Sequence, residues 1–310
     1  MIIEVENLVK RYGDLIALNH FNLNVEEGEI LGLLGPNGSG KTTSINCMLS
    51  LLTYDKGSIK LFGKEMRPDA YDIKAKIGVV MQEVAVFDEL SVYENIDYFC
   101  SLYVGDKTKR KELVEEAIEL VGLEDFKKMK PKKLSGGLLR RLNIACGIAH
   151  KPNLIFLDEP TVAVDPQSRN RILENIKELN RQGATIVYTT HYMEEVEQLC
   201  SRIVILDEGK IVAHGSNDEL KNMIQTQEKI TFEISGIARD IIQELSSFPS
   251  ILKVDYKDPL LEVHVDKKEG MLMDLLDFFK KRDIKFKTVY SEKPTLNDVF
   301  LEITGKKLRD

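Results

Sequence analysis

The chain has 310 residues, of which 43% are hydrophobic and 30% charged, and its formal net charge at pH 7 is −7. This composition is typical of a globular protein with room for two domains, and its mildly acidic balance argues against general nucleic-acid binding. No apolar run approaches the ~20 residues of a membrane-spanning helix. The cysteines are widely spaced, which excludes a metal-type pair and predicts buried thiols in a reducing compartment: Cys47, Cys100, Cys146 and Cys200.

The first part of the chain contains a phosphate-binding motif. Met1–Val5 predicts a strand rather than a signal peptide. Glu29–Leu34 predicts a buried strand and Thr43–Leu49 a helix. Between them the letters GPNGSGKT fit the pattern G-x-x-x-x-G-K-[ST] without a mismatch. The chain is therefore predicted to bind a nucleoside triphosphate, and a chance match in a glycine-rich surface loop is the alternative.

Each residue type in this loop has a physical role beside phosphates. Glycines let successive backbone N–H groups face phosphate oxygens, and the following helix adds the positive end of its dipole. Lys41 offers a point charge to the outer phosphates, and Thr42 offers a hydroxyl to Mg²⁺. The predicted nucleotide-binding residues of this segment are Gly35, Pro36, Asn37, Gly38, Ser39, Gly40, Lys41, Thr42 and Thr43.

The middle of the chain predicts a strand followed by helices. The apolar run Ile77–Met81 is typical of a strand. Ser91 and Glu94 have the spacing of a capping box, which predicts a helix start. Lys107–Leu120 predicts an amphipathic surface helix. Its basic start is typical of a solvated face and is assigned no function.

Two carboxylates follow a later apolar run. Leu154–Leu157 is suited to a central parallel strand, which would deliver Asp158 and Glu159 at its carboxyl end, where open α/β sheets hold ligands. Asp158 is predicted to hold Mg²⁺, and Glu159 to polarise the water that attacks the γ-phosphate. The alternative is a solvated turn. Thr185–Thr190 predicts one further strand.

The motif Leu134-Ser135-Gly136-Gly137 lies just upstream of that acidic strand. Together with the phosphate loop, it resembles the ATP-binding cassette (ABC) family, and the match continues along about the first 220 residues. The resemblance implies a P-loop NTPase cassette, with a RecA-like core, an antiparallel β subdomain and a helical signature subdomain at about residues 88–150. In that family the signature of one subunit closes over the nucleotide of the other, so Ser135, Gly136 and Gly137 are implied nucleotide contacts. Ser135 is also a suitable helix N-cap, which is compatible with that role.

Four further residues match family motifs one at a time. Tyr12 matches the aromatic that stacks on adenine, and Gln82 matches the glutamine that senses Mg²⁺ and water beside the transmembrane partner. Asp165 matches the aspartate through which subunits communicate, and His191 matches the γ-phosphate switch histidine. The resemblance thus implies catalytic roles for Glu159, His191 and Gln82, and Mg²⁺ ligation by Thr42, Gln82 and Asp158.

The sequence departs from the family pattern twice. Leu138 stands where glutamine or methionine is usual, and Val162–Asp165 replaces a more usual run of small residue, Gly, Leu and Asp. Both departures leave the phosphate-contacting residues in place. Leu138 removes a polar group that could bond across a dimer, which bears on the strength of closure rather than on hydrolysis.

The pattern changes after about residue 226, which predicts a cassette at 1–225 and an accessory α+β domain at 226–310. The later segments follow a βαββαβ order that suggests a ferredoxin-like domain. Its predicted elements are the strands Ile230–Ile234, Ile251–Tyr256, Leu260–Val265 and Ile284–Tyr290, and the helices Arg239–Leu245 and Gly270–Lys281. The ending Pro294–Gly305 resembles the drug-resistance branch of ABC exporter ATPases. A role of this domain in dimer contact or regulation is a hypothesis, and a plain packing helix is the alternative.

These observations predict the ATP-hydrolysing subunit of an ABC exporter, using ATP and Mg²⁺. We expect it to pair with a second copy, as a homodimer on the cytoplasmic face of the membrane, beneath separately encoded transmembrane permease subunits. An ABC importer ATPase is the nearest alternative. A soluble ABC ATPase is disfavoured because the chain carries one cassette, with no sustained heptads between residues 42 and 134. Glu159 and His191 argue against a purely regulatory module. The substrate is not encoded here, since permeases select it.

Overall fold

The computed structural model describes residues 1–224, 228–266 and 270–305. The described part of the chain divides into two compact units after Ser216. The domain boundary predicted between residues 225 and 226 lies outside the described residues. Each unit has its own apolar core.

The first unit alternates strands and helices. Its strands are β1 (Ile3–Tyr12), β2 (Leu15–Val25), β3 (Ile30–Leu34), β4 (Lys56–Leu61), β5 (Lys64–Glu65), β6 (Ile77–Val80), β7 (Leu154–Asp158), β8 (Thr185–Thr190), β9 (Arg202–Asp207) and β10 (Lys210–Gly215). Its helices are α1 (Lys41–Met48), α2 (Tyr71–Lys74), α3 (Val92–Ser101), α4 (Lys107–Val121), α5 (Gly136–Ile148), α6 (Pro166–Arg181) and α7 (Met193–Leu199).

A six-stranded sheet in the order β10-β9-β3-β8-β7-β6 forms the centre of this unit. Its strands are parallel from β9 to β6, and only the β9–β10 hairpin is antiparallel. Strands β3, β7 and β8 are buried along their whole length, which is why their sequences are near-continuous apolar runs. The carboxyl ends of these three neighbours therefore lie side by side at one edge.

A second sheet, in the order β2-β1-β4-β5, is entirely antiparallel. Its apolar residues, among them Leu8, Phe21 and Ile59, pack in one cluster with Leu31 and Leu33 of the central sheet. The cassette architecture implied by the sequence is therefore present, with a parallel core and an antiparallel β subdomain.

Helices α3, α4 and α5 lie within the segment predicted to be a helical subdomain. The capping box at the start of α3 is confirmed: the Ser91 side chain accepts from the Glu94 N–H, and Glu94 accepts from the Ser91 N–H. Helix α4 is amphipathic, as predicted, with a buried face that includes Leu113 and Ile118. It ends at Gly122, whose φ of 65° is left-handed.

The second unit contains β11 (Glu228–Glu233), β12 (Ile251–Lys257), β13 (Leu260–Val265) and β14 (Val289–Glu292), with α8 (Asn217–Asn222), α9 (Arg239–Ser246), α10 (Met271–Lys281) and α11 (Leu296–Thr304). The antiparallel strand order β12-β13-β11-β14 and the chain order βαββαβ confirm a ferredoxin-like fold. Its core is rich in phenylalanine, including Phe232 and Phe279, whose rings meet edge to face at 4.8 Å.

The strand predicted over Ile284–Tyr290 was wrong in its position, because β14 covers Val289–Glu292. Ile284 and Phe286 pack against the core before the strand begins, so their apolar character reflects burial rather than strand pairing. The segment before β14 still forms two backbone hydrogen bonds with Glu233. The Lys287 N–H donates to the Glu233 carbonyl, and the Glu233 N–H donates to the Thr288 carbonyl, both at 3.0 Å.

All four cysteines lie in the described part of the chain and are free thiols; Cys47, Cys100 and Cys146 are buried, and Cys200 is partly buried. Burial raises the pKa of the Cys47 thiol to about 11, so this thiol stays protonated at neutral pH. Within the described ranges, no helix combines the length and the apolar character needed to span a bilayer.

Candidate active site

The loop between β3 and α1 has a backbone that requires glycine at two positions. A Cβ on Gly35 would lie 2.3 Å from Leu206 O, and one on Gly40 would lie 2.7 Å from Ala17 O. Gly40 also has φ 108°, in the left-handed region where L side chains are strained. The two glycines thus let the loop lie against neighbouring backbone, with its N–H groups and the N-terminus of α1 directed to one side.

Lys41 is buried beneath this loop, with 4% of its side chain exposed. Its ammonium donates to Gly35 O at 2.7 Å and to Pro36 O at 3.2 Å. It also forms an ion pair with Glu159, with Nζ 3.2 Å from Oε1. Burial lowers the pKa of Lys41, and the Glu159 carboxylate opposes that shift.

Asp158 closes β7 with both carboxylate oxygens engaged. Oδ2 accepts from the Thr42 hydroxyl at 2.8 Å, and Oδ1 accepts from the Thr189 hydroxyl at 2.6 Å. These bonds join the ends of β7 and β8 to the first turn of α1. A carboxylate and a hydroxyl at this spacing are ligands that Mg²⁺ prefers in nucleotide sites.

Glu159 follows directly, with φ 47° and its N–H donating to Thr189 Oγ1 at 3.0 Å. The left-handed backbone turns its side chain toward Lys41 and away from the course of the strand. Its second oxygen, Oε2, lies 3.1 Å from Nδ1 of His191, which follows β8. One carboxylate thus contacts the loop lysine and the histidine at the same time.

A cavity of about 840 Å³ opens over this cluster. Its walls come from the phosphate loop, the end of β7 and the β1–β2 turn, and they include Tyr12, Leu15, Ile16, Ala17, Asn37, Gly38, Gly40, Lys41, Thr42, Thr43, Gln82, Glu159 and Glu208. Tyr12 and Gln82 are both exposed here. The volume is within the range of small-molecule sites. Its walls combine apolar side chains at the β1–β2 turn with polar side chains from the phosphate loop and the strand ends.

Gln82 is placed by the signature helix. Arg140 of α5 donates to Met81 O at 3.2 Å, and Asn143 accepts from the Ala85 N–H at 3.1 Å. Both side chains are buried, and burial lowers the pKa of Arg140. The loop that follows β6 is therefore tied to α5 on both sides of Gln82.

The signature residues and Asp165 do not line this cavity. Ser135 is the N-cap of α5 and accepts from the Leu138 N–H at 3.3 Å, and Asp165 is the N-cap of α6. The two helix starts touch, since a Cβ on Gly137 would lie 2.3 Å from Ser168 Oγ. Within one chain, the predicted site residues therefore form two separate groups. The phosphate-loop group lies at the cavity, and the signature group consists of Ser135, Gly136, Gly137 and Asp165.

The polar groups of the loop fit a bound triphosphate. Ser39 Oγ is buried with no hydrogen-bond partner among the described residues, in a loop whose Lys41 ammonium is held by carbonyl oxygens and Glu159. A phosphate oxygen would satisfy such an unpaired hydroxyl and take over the ammonium.

Comparison with known families and proteins agrees with this geometry. The model described as "ABC transporter" matches residues 18–162, and that described as "ATP-binding protein DrrA1-3-like, C-terminal domain" matches residues 215–304. Linearmycin resistance ATP-binding protein LnrL of Bacillus subtilis is 36% identical over 100% of both chains. Daunorubicin resistance ATP-binding protein DrrA3 of Streptomyces coeruleorubidus is 32% identical, over 99% of this chain and 97% of its own.

The chain belongs to the ABC transporter ATP-binding proteins. It is an ATPase of the drug-resistance exporter group, which binds ATP and uses its hydrolysis to energise efflux. Its fold agrees with a solved dimeric post-hydrolysis structure of the ATP-binding cassette MJ0796 bound to ADP and Pi. That cassette is 28% identical, with a TM-score of 0.63, over 69% of this chain and 98% of the other. CbiO1 from Clostridium perfringens matches with a TM-score of 0.66 and 25% identity, over 79% of this chain and 94% of the CbiO1 chain.

Sequence reasoning missed several residues that build the site of this ABC ATPase. Thr189 organises both Asp158 and Glu159, and the pair of threonines closing a buried strand is the sequence signal for it. Arg140 and Asn143 lie in α5, beyond the signature motif that begins this helix. No sequence pattern pairs them with a loop 58 or more residues away.

In the second unit the sequence indicated no ligand site, and the structure brings three groups together on one face of β12 and β13. Ligand atoms of Asp255, Glu262 and His264 lie within 4.8 Å of one another. The Lys253 ammonium lies 2.6 Å from Asp255 Oδ2 and would compete with a cation there. We therefore assign this cluster no ligand.

Proposed function

We propose that this chain hydrolyses Mg·ATP as one of two identical subunits, and so drives export through separately encoded permease subunits. The observation that carries the proposal is the convergence of Lys41, Asp158, Glu159 and His191 at one edge of the sheet. This arrangement lies in a chain that also carries a DrrA-like C-terminal domain.

The residues divide the chemistry between them. Lys41 and the loop N–H groups bind the phosphates, and Tyr12 lies against the adenine ring. Thr42, Asp158 and Gln82 would hold Mg²⁺, which would neutralise charge that develops on the phosphate oxygens. Glu159 accepts the proton of the attacking water, and His191 holds Glu159 and the γ-phosphate in register.

The ion pair between Lys41 and Glu159 sets the order of these events. Phosphates that take over the Lys41 ammonium release the Glu159 carboxylate, whose oxygen is otherwise 3.2 Å from that ammonium. A carboxylate freed from the ammonium can contact the attacking water instead, so nucleotide binding itself would make the base available.

A second copy supplies what one chain lacks. Ser135, Gly136 and Gly137 begin a helix whose N–H groups can bind an anion, yet they lie outside the cavity of their own chain. In a two-fold pair, each signature would cover the nucleotide of the other subunit, and each Asp165 would lie near the shared face. The solved structure of MJ0796 is dimeric, which supports the pairing of two such chains.

An exposed apolar surface next to Gln82 fits a permease. Val84, Phe87, Tyr98 and Leu102, here named the aromatic surface, are 36%, 42%, 44% and 61% exposed. Phe87 is held in place because the buried amide of Asn95 bonds both its N–H and its carbonyl. Exposed aromatic residues on a fixed loop are typical of a protein contact, and we propose that a cytoplasmic segment of the permease binds here. The chain would thereby lie on the inner face of the membrane.

The substrate class follows from the relatives rather than from this site. Proteins named for linearmycin resistance, daunorubicin resistance and Nod factor export match the chain from end to end. These names support export of a drug, an antibiotic or a related substrate rather than import.

The test is to purify the tagged chain from mildly solubilised native membranes with ATP present and to identify co-purifying proteins by mass spectrometry. Recovery of a polytopic protein, its loss in Phe87→Asp and its retention in Tyr71→Asp are expected. Tyr71 is the matched control, since it is 76% exposed and lies on α2, outside the set of residues that define the aromatic surface. Recovery only as a soluble dimer would contradict the transporter assignment.

A further inference from the structure

A buried carboxylate lies beside the active site without a part in the chemistry described above. Glu195 of α7 is 2% exposed. Its Oε2 accepts from Tyr188 OH and from Thr190 Oγ1, both at 2.7 Å. Burying a carboxylate is costly unless it is paired and hydrogen-bonded, so this one needs a counter-charge.

Arg169 of α6 provides that charge. Its Nε lies 3.5 Å from Glu195 Oε1, and its guanidinium lies over the Tyr192 ring at 4.6 Å. Neither Arg169 Nε nor Glu195 Oε1 has a hydrogen-bond partner in the described residues, so the two atoms are within ion-pair distance but do not form a hydrogen bond. One arginine thus contacts both a buried anion and the residue that follows His191.

The same groups fix the turn that carries His191. Thr190 Oγ1 donates to Glu195 and accepts from the Tyr192 N–H at 3.0 Å. The Tyr192 ring lies 4.1 Å from the His191 ring, and His191 Nδ1 lies 3.1 Å from Glu159 Oε2. A shift of Glu195 or of the Tyr192 ring would therefore move the imidazole relative to Glu159.

We propose that Arg169 is a positioning residue for ATP hydrolysis, which holds His191 in register through Glu195 and Tyr192. The inference rests on the roles proposed above for His191 and Glu159. Arg169 touches neither of them, so its effect on the reaction passes through the turn after β8. It belongs to the turnover step rather than to nucleotide binding.

The location of Arg169 also connects this turn to the signature group. The Arg169 N–H donates to the carbonyl of Asp165, the N-cap of α6, at 2.9 Å. Ser168, its neighbour, packs against Gly137 of the signature. If docking of a second subunit displaced the starts of α5 and α6, Arg169 would transmit that movement to His191. The expected response is a shorter distance between Arg169 Nε and Glu195 Oε1, which are 3.5 Å apart.

The experiment compares steady-state ATP hydrolysis by the purified full-length chain and four variants. Arg169→Ala should lower kcat about ten- to one-hundredfold while KM for ATP changes by less than about threefold. Arg169→Lys should restore part of kcat because it keeps the charge, and Glu195→Gln should lower kcat in the same direction. These two variants carry the test if Arg169→Ala folds poorly.

Arg202→Ala is the matched control. Arg202 forms an ion pair with Glu29 at 2.6 Å, at the opposite edge of the same sheet, and both side chains are mostly buried. Its loss should lower the thermal midpoint without lowering kcat. If Arg169→Ala and Arg202→Ala keep the same kcat, or if the losses in Arg169→Ala track only its thermal midpoint, the proposal is wrong.

A double-mutant cycle separates this inference from the proposed function. Arg169→Ala should have little further effect on kcat in a His191→Ala background, because both act through one imidazole. Fully additive losses would overturn the positioning role. Retained hydrolysis in both His191→Ala and Glu159→Gln would instead overturn the proposed catalytic residues, whatever Arg169 does.

Discussion

Replacing Glu159 with glutamine tests the assignment of the general base most directly. Glutamine has the shape of glutamate and keeps an oxygen that can accept from Lys41 Nζ, now 3.2 Å from Oε1. It loses the negative charge and the ability to take a proton from water. The substitution therefore leaves the geometry of the cavity in place and removes the chemistry.

The expected magnitude follows from the role of the group. General-base catalysis contributes about 10²–10⁴ in rate, which corresponds to about 2.7–5.4 kcal/mol of transition-state stabilisation. Removing one partner of a buried ion pair costs about 3–5 kcal/mol of stability, but Lys41 keeps Gly35 O and Pro36 O as acceptors, so we expect a smaller loss here. ATP affinity should hold or rise, because Glu159 no longer competes with phosphate for Lys41.

The assay measures phosphate release with saturating Mg·ATP, together with nucleotide binding and size-exclusion chromatography in ATP. Glu159→Gln should release phosphate at least about a hundredfold more slowly and elute as an ATP-stabilised dimer. Glu178→Gln is the control, because that carboxylate lies on the exposed face of α6. Residual hydrolysis above about a tenth of wild type would refute the assignment of Glu159 as the base.

Four further substitutions probe the loop and the fold. Lys41→Ala should abolish nucleotide binding itself, as measured by fluorescence titration, and normal affinity would contradict its phosphate role. Gly35→Ala should do the same, because its Cβ would lie 2.3 Å from Leu206 O, whereas Gly38→Ala, with open space around it but a left-handed φ, should be milder. Burial lowers the pKa of His150 below its ordinary 6.5, so the unfolded state binds its proton first and stability falls as pH drops below that value. Urea unfolding at about pH 7.5 and about pH 5.5 should show a shallower pH dependence in His150→Phe, and an unchanged one would contradict this account.

Much of the cassette was predictable because its signals are local. The phosphate loop, the buried strands β3, β7 and β8, and the capping box of α3 each depend on residues within a few positions of one another. The ferredoxin-like order was predictable for the same reason. The strand over Ile284–Tyr290 was misplaced because a core-packing segment and a strand share one apolar pattern.

The contacts that orient the site were not predictable, because they join residues far apart in sequence. Arg140 reaches Met81 across 59 positions, and Thr189 reaches Asp158 across 31. Arg169 and Glu195 look like ordinary charges on two surface helices until the fold buries one against the other. Hydrophobic periodicity places a residue on a helix face, but pairing across elements depends on the tertiary packing.

The separation of the site into two groups within one chain bears on how hydrolysis is restrained. Glu159 is paired with Lys41, and the signature lies outside the cavity of its own chain. Nucleotide binding would free Glu159 from Lys41, and docking of a second subunit would bring its signature over the cavity. Arg169 lies on α6, which contacts the signature, and its side chain also contacts Glu195 and Tyr192 beside His191, so both effects would reach the same imidazole. Hydrolysis would then require both bound ATP and a closed dimer. A transport ATPase needs this coupling if it is to hydrolyse ATP only when its two subunits move together.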